Sequence, residues 1–172
     1  VASASRVSNP GCYPTGFIAL LAPLIRKQLL PADWPYTCHA VSGYSGGGKA
    51  LIARFEADAD IAYRDYALGL GHKHVPEMQV LCALAHPPLF APAVIPAHRG
   101  MIVEVPLHLG LMSRAAPVDA LRDCLAEFYA GSSVVTVHDD MPDELLLRAG
   151  MAPGDGLDLY VFGNGDGSQT RL

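Results

Sequence analysis

"SNPGCYPTGFIALLAPLIRKQLL", Ser8 to Leu30, decides how the rest of the chain is read. Phe17, Leu20, Leu21, Leu24 and Ile25 recur at three- and four-residue steps, which is one face of a helix. Pro14 suits the first turn, where its missing N–H loses nothing. Pro23 lies mid-pattern and is expected to kink the helix or cut it short, and "LLPADWP" ends it. Ahead of the apolar run, Asn9-Pro10-Gly11 makes a tight turn, with Pro fixing φ and Gly freeing it. Cys12 then meets the helix N-terminus, where unpaired N–H groups and the positive dipole end favour an anion. A thiolate is favoured there, and the same donors could hold an oxyanion on an attacked carbonyl. Free cysteine is also among the most buried residue types. On the residues alone, nucleophile and packing residue weigh equally.

Composition bounds the rest. The 172 residues, 51% hydrophobic, suit one domain with a substantial core, taken as 1–172. Twelve basic residues against seventeen acidic give a net charge of −5, which argues against a nucleic-acid partner. No apolar stretch approaches bilayer length, so no membrane partner is expected. The first residues hold no long apolar segment and are not expected to form a secretory signal, and the start at Val1 rather than Met suggests a processed or excised start. The four cysteines, at 12, 38, 82 and 124, form no C-x-x-C pair. They read as reduced, in a cytoplasmic protein, and Cys38, Cys82 and Cys124 read as core residues among apolar neighbours.

Along the chain, "YTCHAVS" (Tyr36–Ser42) alternates as a strand and runs into "SGYSGGGKA", with four glycines between Gly43 and Gly48. A short helix, "KALIARFEAD", follows. "YRDYALGLG" reads as a strand, and "HKHVPEMQVLCALA" as a helix entered at Pro76, with Glu77 against its dipole. "PLFAPAVIP" and "GMIVEVPLHL" are extended, Pro106 hinting at an edge or bulge. "APVDALRDCLAEFYAG" is the cleanest helix, with Val118, Leu121, Leu125 and Phe128 on one face and Gly131 as its stop. "SVVTVHD" and "LDLYVFG" are strands. "GNGDGSQ" is a hairpin turn with only "TRL" left to return, too little for a stable hairpin, so a cut at Leu172 is expected.

A cysteine nucleophile wants a proton acceptor within reach. Of the seven histidines, His72 and His74 flank Lys73 just ahead of the Pro76 helix, and an imidazole there could exchange a proton with a thiol or an alkoxide. Glu77 could orient that imidazole or simply cap the helix. His39, His86, His98, His108 and His138 show no partner pattern. "SGYSGGGK" could cradle a phosphate, but it matches neither the Walker loop nor the dinucleotide spacing. Lys49 and Arg99 are candidate anion partners. The histidines and cysteines lack metal-ligand spacing.

"NPGCYPTG", "VSGYSGGGK" and "GHKHVPEM", in that order, resemble the N-acetyl-gamma-glutamyl-phosphate reductases of the semialdehyde dehydrogenase group. "LFAPAVIPAHRGMIVEVPLHL" and "LDLYVFGN" are similar to later segments of that family, so the likeness runs from about Asn9 to Asn164. It implies an α+β domain with a mixed, largely antiparallel sheet, helices on one face and often a dimer interface on the other. That fold is similar to the C-terminal domain of glyceraldehyde-3-phosphate dehydrogenase. The resemblance makes Cys12 the nucleophile and His74 the acid/base, with His72 as the fallback. His72, Glu77 and Arg99 are assigned to substrate, and Ser45 and Gly46 to cofactor, with a substrate phosphate as the alternative for the last two. It implies NADPH-dependent reduction of N-acetyl-glutamyl 5-phosphate through a cysteine thioester, in arginine biosynthesis, by a homo-oligomer. The family's Rossmann domain and closing segment have no counterpart in this sequence, so NADP is expected to sit mainly on a missing domain and the fragment to be inactive alone. A lysine-pathway aminoadipyl-phosphate reductase and a non-catalytic dimerisation module are the alternatives.

Overall fold

The helix set by the opening stretch, α1, covers Cys12–Arg26 and buries Phe17, Leu20, Leu21, Leu24 and Ile25, the face expected from their spacing. The computed structural model describes residues 3–172, so the Val1 start lies outside them. The shortening expected at Pro23 does not occur, because α1 runs on to Arg26. Pro23 lacks the N–H that would reach the Ala19 carbonyl four residues back. The Tyr129 hydroxyl replaces it, donating to Ala19 O at 2.9 Å. The helix then stops through backbone geometry. Gln28 adopts the left-handed region (φ 59°), and Gln28 N and Leu29 N donate to Ile25 O and Leu24 O, a Schellman closure.

The main sheet has four strands: β1 (Thr37–Gly43), β2 (Arg64–Asp65), β3 (Leu89–Ile95) and β4 (Met101–Glu104), in the order β2-β3-β1-β4. β1 pairs parallel with β3 and antiparallel with β4, and β2 pairs antiparallel with β3. The sheet is therefore mixed, and the architecture is α+β as expected. Pro92 sits inside the central strand β3 without breaking it. Its carbonyl accepts from Tyr66 N, so its ring nitrogen, on the same side, points past the end of β2 and not into the β1 ladder. The strand expected over "YRDYALGLG" shrinks to Arg64–Asp65, because Ala67 and Leu70 turn the chain with φ of 57° and 61°.

Alternation along β1 separates two faces. Cys38, Ala40 and Ser42 are buried towards α1, whose Gly16 lies against Val103 of β4. His39, Val41, Ile102 and Glu104 form the other, half-exposed face. Two further helices, α3 (Val75–Leu81) and α4 (Val118–Phe128), pack against α1, while α2 (Gly48–Ala57) follows the glycine turn. In α4, Leu121 and Leu125 are fully buried, but Phe128 is exposed and Tyr129 turns inward instead. That exchange is the one that lets the Tyr129 hydroxyl reach Ala19.

A second sheet joins β5 (Pro106–Leu107), β8 (Phe162–Gly163) and β9 (Thr170–Arg171) in the order β5-β9-β8, so Pro106 occupies an edge strand. The hairpin expected to be marginal gains its stability here. β9 has β8 on one side and β5 on the other, and Leu172 exchanges both backbone hydrogen bonds with Val105. β6 (Val135–Val137) and β7 (Leu157–Leu159) pair in parallel beside α4.

Candidate active site

Cys12 is the first residue of α1 and its side chain is exposed. No side chain caps the helix and no acidic residue stands in its first turn, so its N–H groups remain available to an anion. Pro14, in that turn, has no N–H to leave unmet.

The turn before Cys12 is held from α3. Both Glu77 oxygens accept the Gly11 N–H, at 3.0 and 3.2 Å. Glu77 lies in the first turn of α3 but caps nothing there; its carboxylate reaches across to the turn before Cys12. The residue before that helix, His74, is 8% exposed, and its ring lies on Gly11. A Cβ at Gly11 would fall 2.6 Å from His74 Cδ2 and closer still to Nε2. Gly11 has φ −60° and ψ 150°, which any residue adopts. Glycine is therefore required by the ring and not by the backbone. Burial, and then the neighbouring His72, hold the His74 imidazole below the usual histidine range, so it rests neutral. Its Nδ1 is buried with no hydrogen-bond partner.

Aromatic rings wall the site. Tyr13, the residue after Cys12, packs against His74 (6.0 Å between centroids) and Phe90 (5.1 Å). Its hydroxyl lies 2.7 Å from Ser42 Oγ and donates to Ala93 O at 3.2 Å. Burial pushes its pKa well above the phenol range, so it is a neutral anchor between α1 and the sheet. His72 sits edge-on to His74 at 4.6 Å. Tyr13 and Ser42 were not among the residues singled out from sequence. The adjacency of Tyr13 to Cys12 was a visible signal, whereas the position of Ser42 depends on strand register.

The other candidates form a second group at the C-terminal end of β1. Gly43 N, Tyr44 N and Ser45 N donate to Gly100 O, Ala97 O and His98 O, which binds the glycine turn to the β3–β4 connection. A Cβ at Gly43 would collide with the backbone of Ala97 and Arg99. Ser45, Gly46 and Arg99 are thus neighbours, tied to the Cys12 site through the Tyr13–Ser42 bond. Arg99 enters no ion pair among the described residues. With its N–H committed, Ser45 offers its side chain, and open space surrounds Gly46.

Cys38 and Cys82 are buried, and burial pushes both thiols up, Cys82 to about 12. His39 and His138, which showed no partners in sequence, meet Glu104 (2.9 Å) and Asp158 (2.8 Å) across strands. A groove of about 650 Å³ between the start of α4 and the β8–β9 turn contains none of the site residues. Among the described residues no group of three or more His, Cys, Asp or Glu could hold a metal ion, and no helix is long and apolar enough to cross a membrane.

Comparisons with known proteins agree with the motifs. Residues 12–149 match the family model "Semialdehyde dehydrogenase, dimerisation domain". The chain is 45% identical to an N-acetyl-gamma-glutamyl-phosphate reductase of Rhizobium etli, covering 100% of this chain and 58% of that protein. It is 48% identical to one of Burkholderia ambifaria, covering 100% and 56%. The chain therefore spans little more than half the length of these relatives. Among solved structures, a probable aspartate-semialdehyde dehydrogenase from Pseudomonas aeruginosa shares the fold, with a TM-score of 0.62 at 16% identity over 99% of this chain and 57% of that one. Aspartate semialdehyde dehydrogenase II from Vibrio cholerae gives 0.55 at 15%, over 96% and 55%. With its motifs, its mixed-sheet fold and four-fifths of its length matched, the chain belongs to the semialdehyde dehydrogenase dimerisation-domain family.

Proposed function

We propose that this chain is the catalytic and dimerisation domain of a reductase converting N-acetyl-glutamyl 5-phosphate to the 5-semialdehyde, in arginine biosynthesis. The observation that carries this reading is the buried, neutral His74 lying on Gly11, one residue before the exposed Cys12. The names of the relatives supply the substrate.

His74 takes the Cys12 thiol proton. The sulfur attacks the acyl carbon, the C–O bond to phosphate breaks, and a thioester forms. The first-turn N–H groups of α1 stabilise the oxyanion during attack. NADPH, when bound, supplies the hydride that reduces the thioester carbon. The imidazolium protonates the resulting oxygen, giving a thiohemiacetal. Neutral His74 then takes that proton back, the C–S bond breaks, and the aldehyde leaves. Return of the proton to sulfur restores the starting state. A histidine held neutral at rest is suited to begin this cycle as a base.

The described residues fit only the edge of a dinucleotide site. Three N–H groups of the glycine turn are already bonded, which leaves the Ser45 side chain and the open side of Gly46 to touch the cofactor. The rest of the binding surface is assigned to the remainder of the parent protein, and the chain alone is expected to be inactive. Arg99, beside Ser45, is assigned to a substrate carboxylate. The half-exposed sheet face bearing His39, Val41, Ile102 and Glu104 is assigned to pairing with a second copy, in line with the family's description.

The test is the reverse reaction, from semialdehyde, phosphate and NADP, in the full-length protein. Turnover lost in Cys12→Ser supports the covalent role, and near-normal turnover in that variant refutes it.

A further inference from the structure

Two histidines lie within two residues of each other at this site, and their hydrogen bonding separates their roles. The His74 backbone N–H donates to His72 Nδ1 at 3.1 Å. A ring nitrogen that accepts a hydrogen bond carries a lone pair and no proton, so neutral His72 holds its proton on Nε2. An imidazolium has no acceptor, and charging His72 would break the bond. Burial and Lys73 both act in the same direction, lowering the affinity of His72 for a second proton.

The ring is also fixed in space. His72 meets Tyr66 at 5.7 Å, Phe90 at 5.1 Å and His74 at 4.6 Å, all edge to face. His74, by contrast, has no bond to its Nδ1, the atom through which acid/base histidines are commonly oriented. Its direction must come from its backbone and its neighbours. Gly11 is the floor and Tyr13 one wall. His72 is the only one of these neighbours that both holds the His74 backbone and packs against its ring.

We propose that His72 is a positioning residue: as a neutral Nε2–H ring it fixes His74 over Gly11 through Nδ1, and it neither transfers a proton nor contacts substrate. This departs from the expectation that His72 binds substrate or stands in as the acid/base. In its kinetic readout the inference rests on the proposed reductase activity; in its spectroscopic readout it does not.

The experiment has two arms. Nitrogen-15 imidazole spectra of the chain report the protonation of each ring nitrogen. The expected result is an unprotonated, hydrogen-bonded Nδ1 and a protonated Nε2 on His72. A proton on Nδ1 overturns the proposal. In the full-length protein, His72→Ala and His72→Gln are expected to lower kcat about tenfold with KM unchanged. His72→Asn, whose oxygen falls near the Nδ1 position, is expected to recover most of that loss. Gln places its polar end near Nε2 instead. Recovery with Gln and not with Asn, a loss confined to KM, or wild-type kcat in all three variants overturns the proposal. A parent protein inactive on acyl phosphates, with His72 still in the expected tautomer, refutes the reductase reading and leaves the positioning role supported. Where a variant fails to fold, the wild-type spectrum decides.

Discussion

The Glu77 carboxylate accepts the Gly11 N–H through both oxygens, at 3.0 and 3.2 Å, so one residue of α3 fixes the turn that presents Cys12. Hydrogen bonds to a charged group are worth about 1.5–3 kcal/mol net, towards the lower end for this half-buried pair. Glu77→Ala is expected to cost about 1–2 kcal/mol in denaturant unfolding and to slow alkylation of Cys12. Glu77→Gln keeps an acceptor oxygen and should recover most of both effects. Equal behaviour of the two variants would show that the bond does not hold the turn.

Gly11→Ala separates steric from backbone causes. The backbone angles suit alanine, so helix α1 should form normally, but the new methyl group would occupy the place of the His74 ring. A misplacement of about 1 Å at a reacting group can cost about 100-fold in rate. A fall of that order in kcat, with an unchanged far-ultraviolet circular dichroism spectrum, is expected. Wild-type turnover in the alanine variant would mean that the ring position is unimportant.

Tyr129 and Pro23 are predicted to be coupled through Ala19. Removing the hydroxyl in Tyr129→Phe leaves Ala19 O without its donor and should cost about 1 kcal/mol. In a Pro23→Ala background the restored N–H can reach the same carbonyl, and the cost of Tyr129→Phe should fall to near zero. The four unfolding free energies form a double-mutant cycle. Additivity would show that the tyrosine does not replace the missing N–H.

The buried state of His74 predicts a slope in stability with pH. Its folded pKa lies below the unfolded value of about 6.5, so the unfolded chain binds the proton first as pH falls. The His74 contribution is therefore intact above about pH 6.5 and is lost as pH drops towards the folded pKa. His74→Gln should show a shallower loss across that interval than wild type. Identical slopes would argue that the imidazole titrates freely in the folded protein.

Much of this site was legible in the sequence because its parts are local. The turn before Cys12, the buried face of α1 and the entry to α3 at Pro76 depend on neighbours within a few residues. The helix ends were less visible. Gln28 and Ala83 both take left-handed angles, 59° and 55°, to close α1 and α3 with Schellman bonds, and neither is the glycine that signals such a stop. Long-range pairing was invisible for another reason. Thr170–Arg171 gains β5 as a second partner from more than sixty residues away, and His39 finds Glu104 only through the β1–β4 register. Phe128 and Tyr129 are adjacent on α4, and periodicity favours the first. The second turns inward, half-buried, where its hydroxyl meets the Ala19 carbonyl, a contact that exists only once α1 and α4 are packed together.

The covalent step can be observed directly. Full-length protein is mixed with the acyl phosphate in the absence of NADPH, quenched in acid and analysed by peptide mass spectrometry. The account predicts release of phosphate and an acyl group on the peptide carrying Cys12, absent in Cys12→Ser. Phosphate release with no adduct, or an adduct on Cys38, Cys82 or Cys124 in place of Cys12, would contradict it.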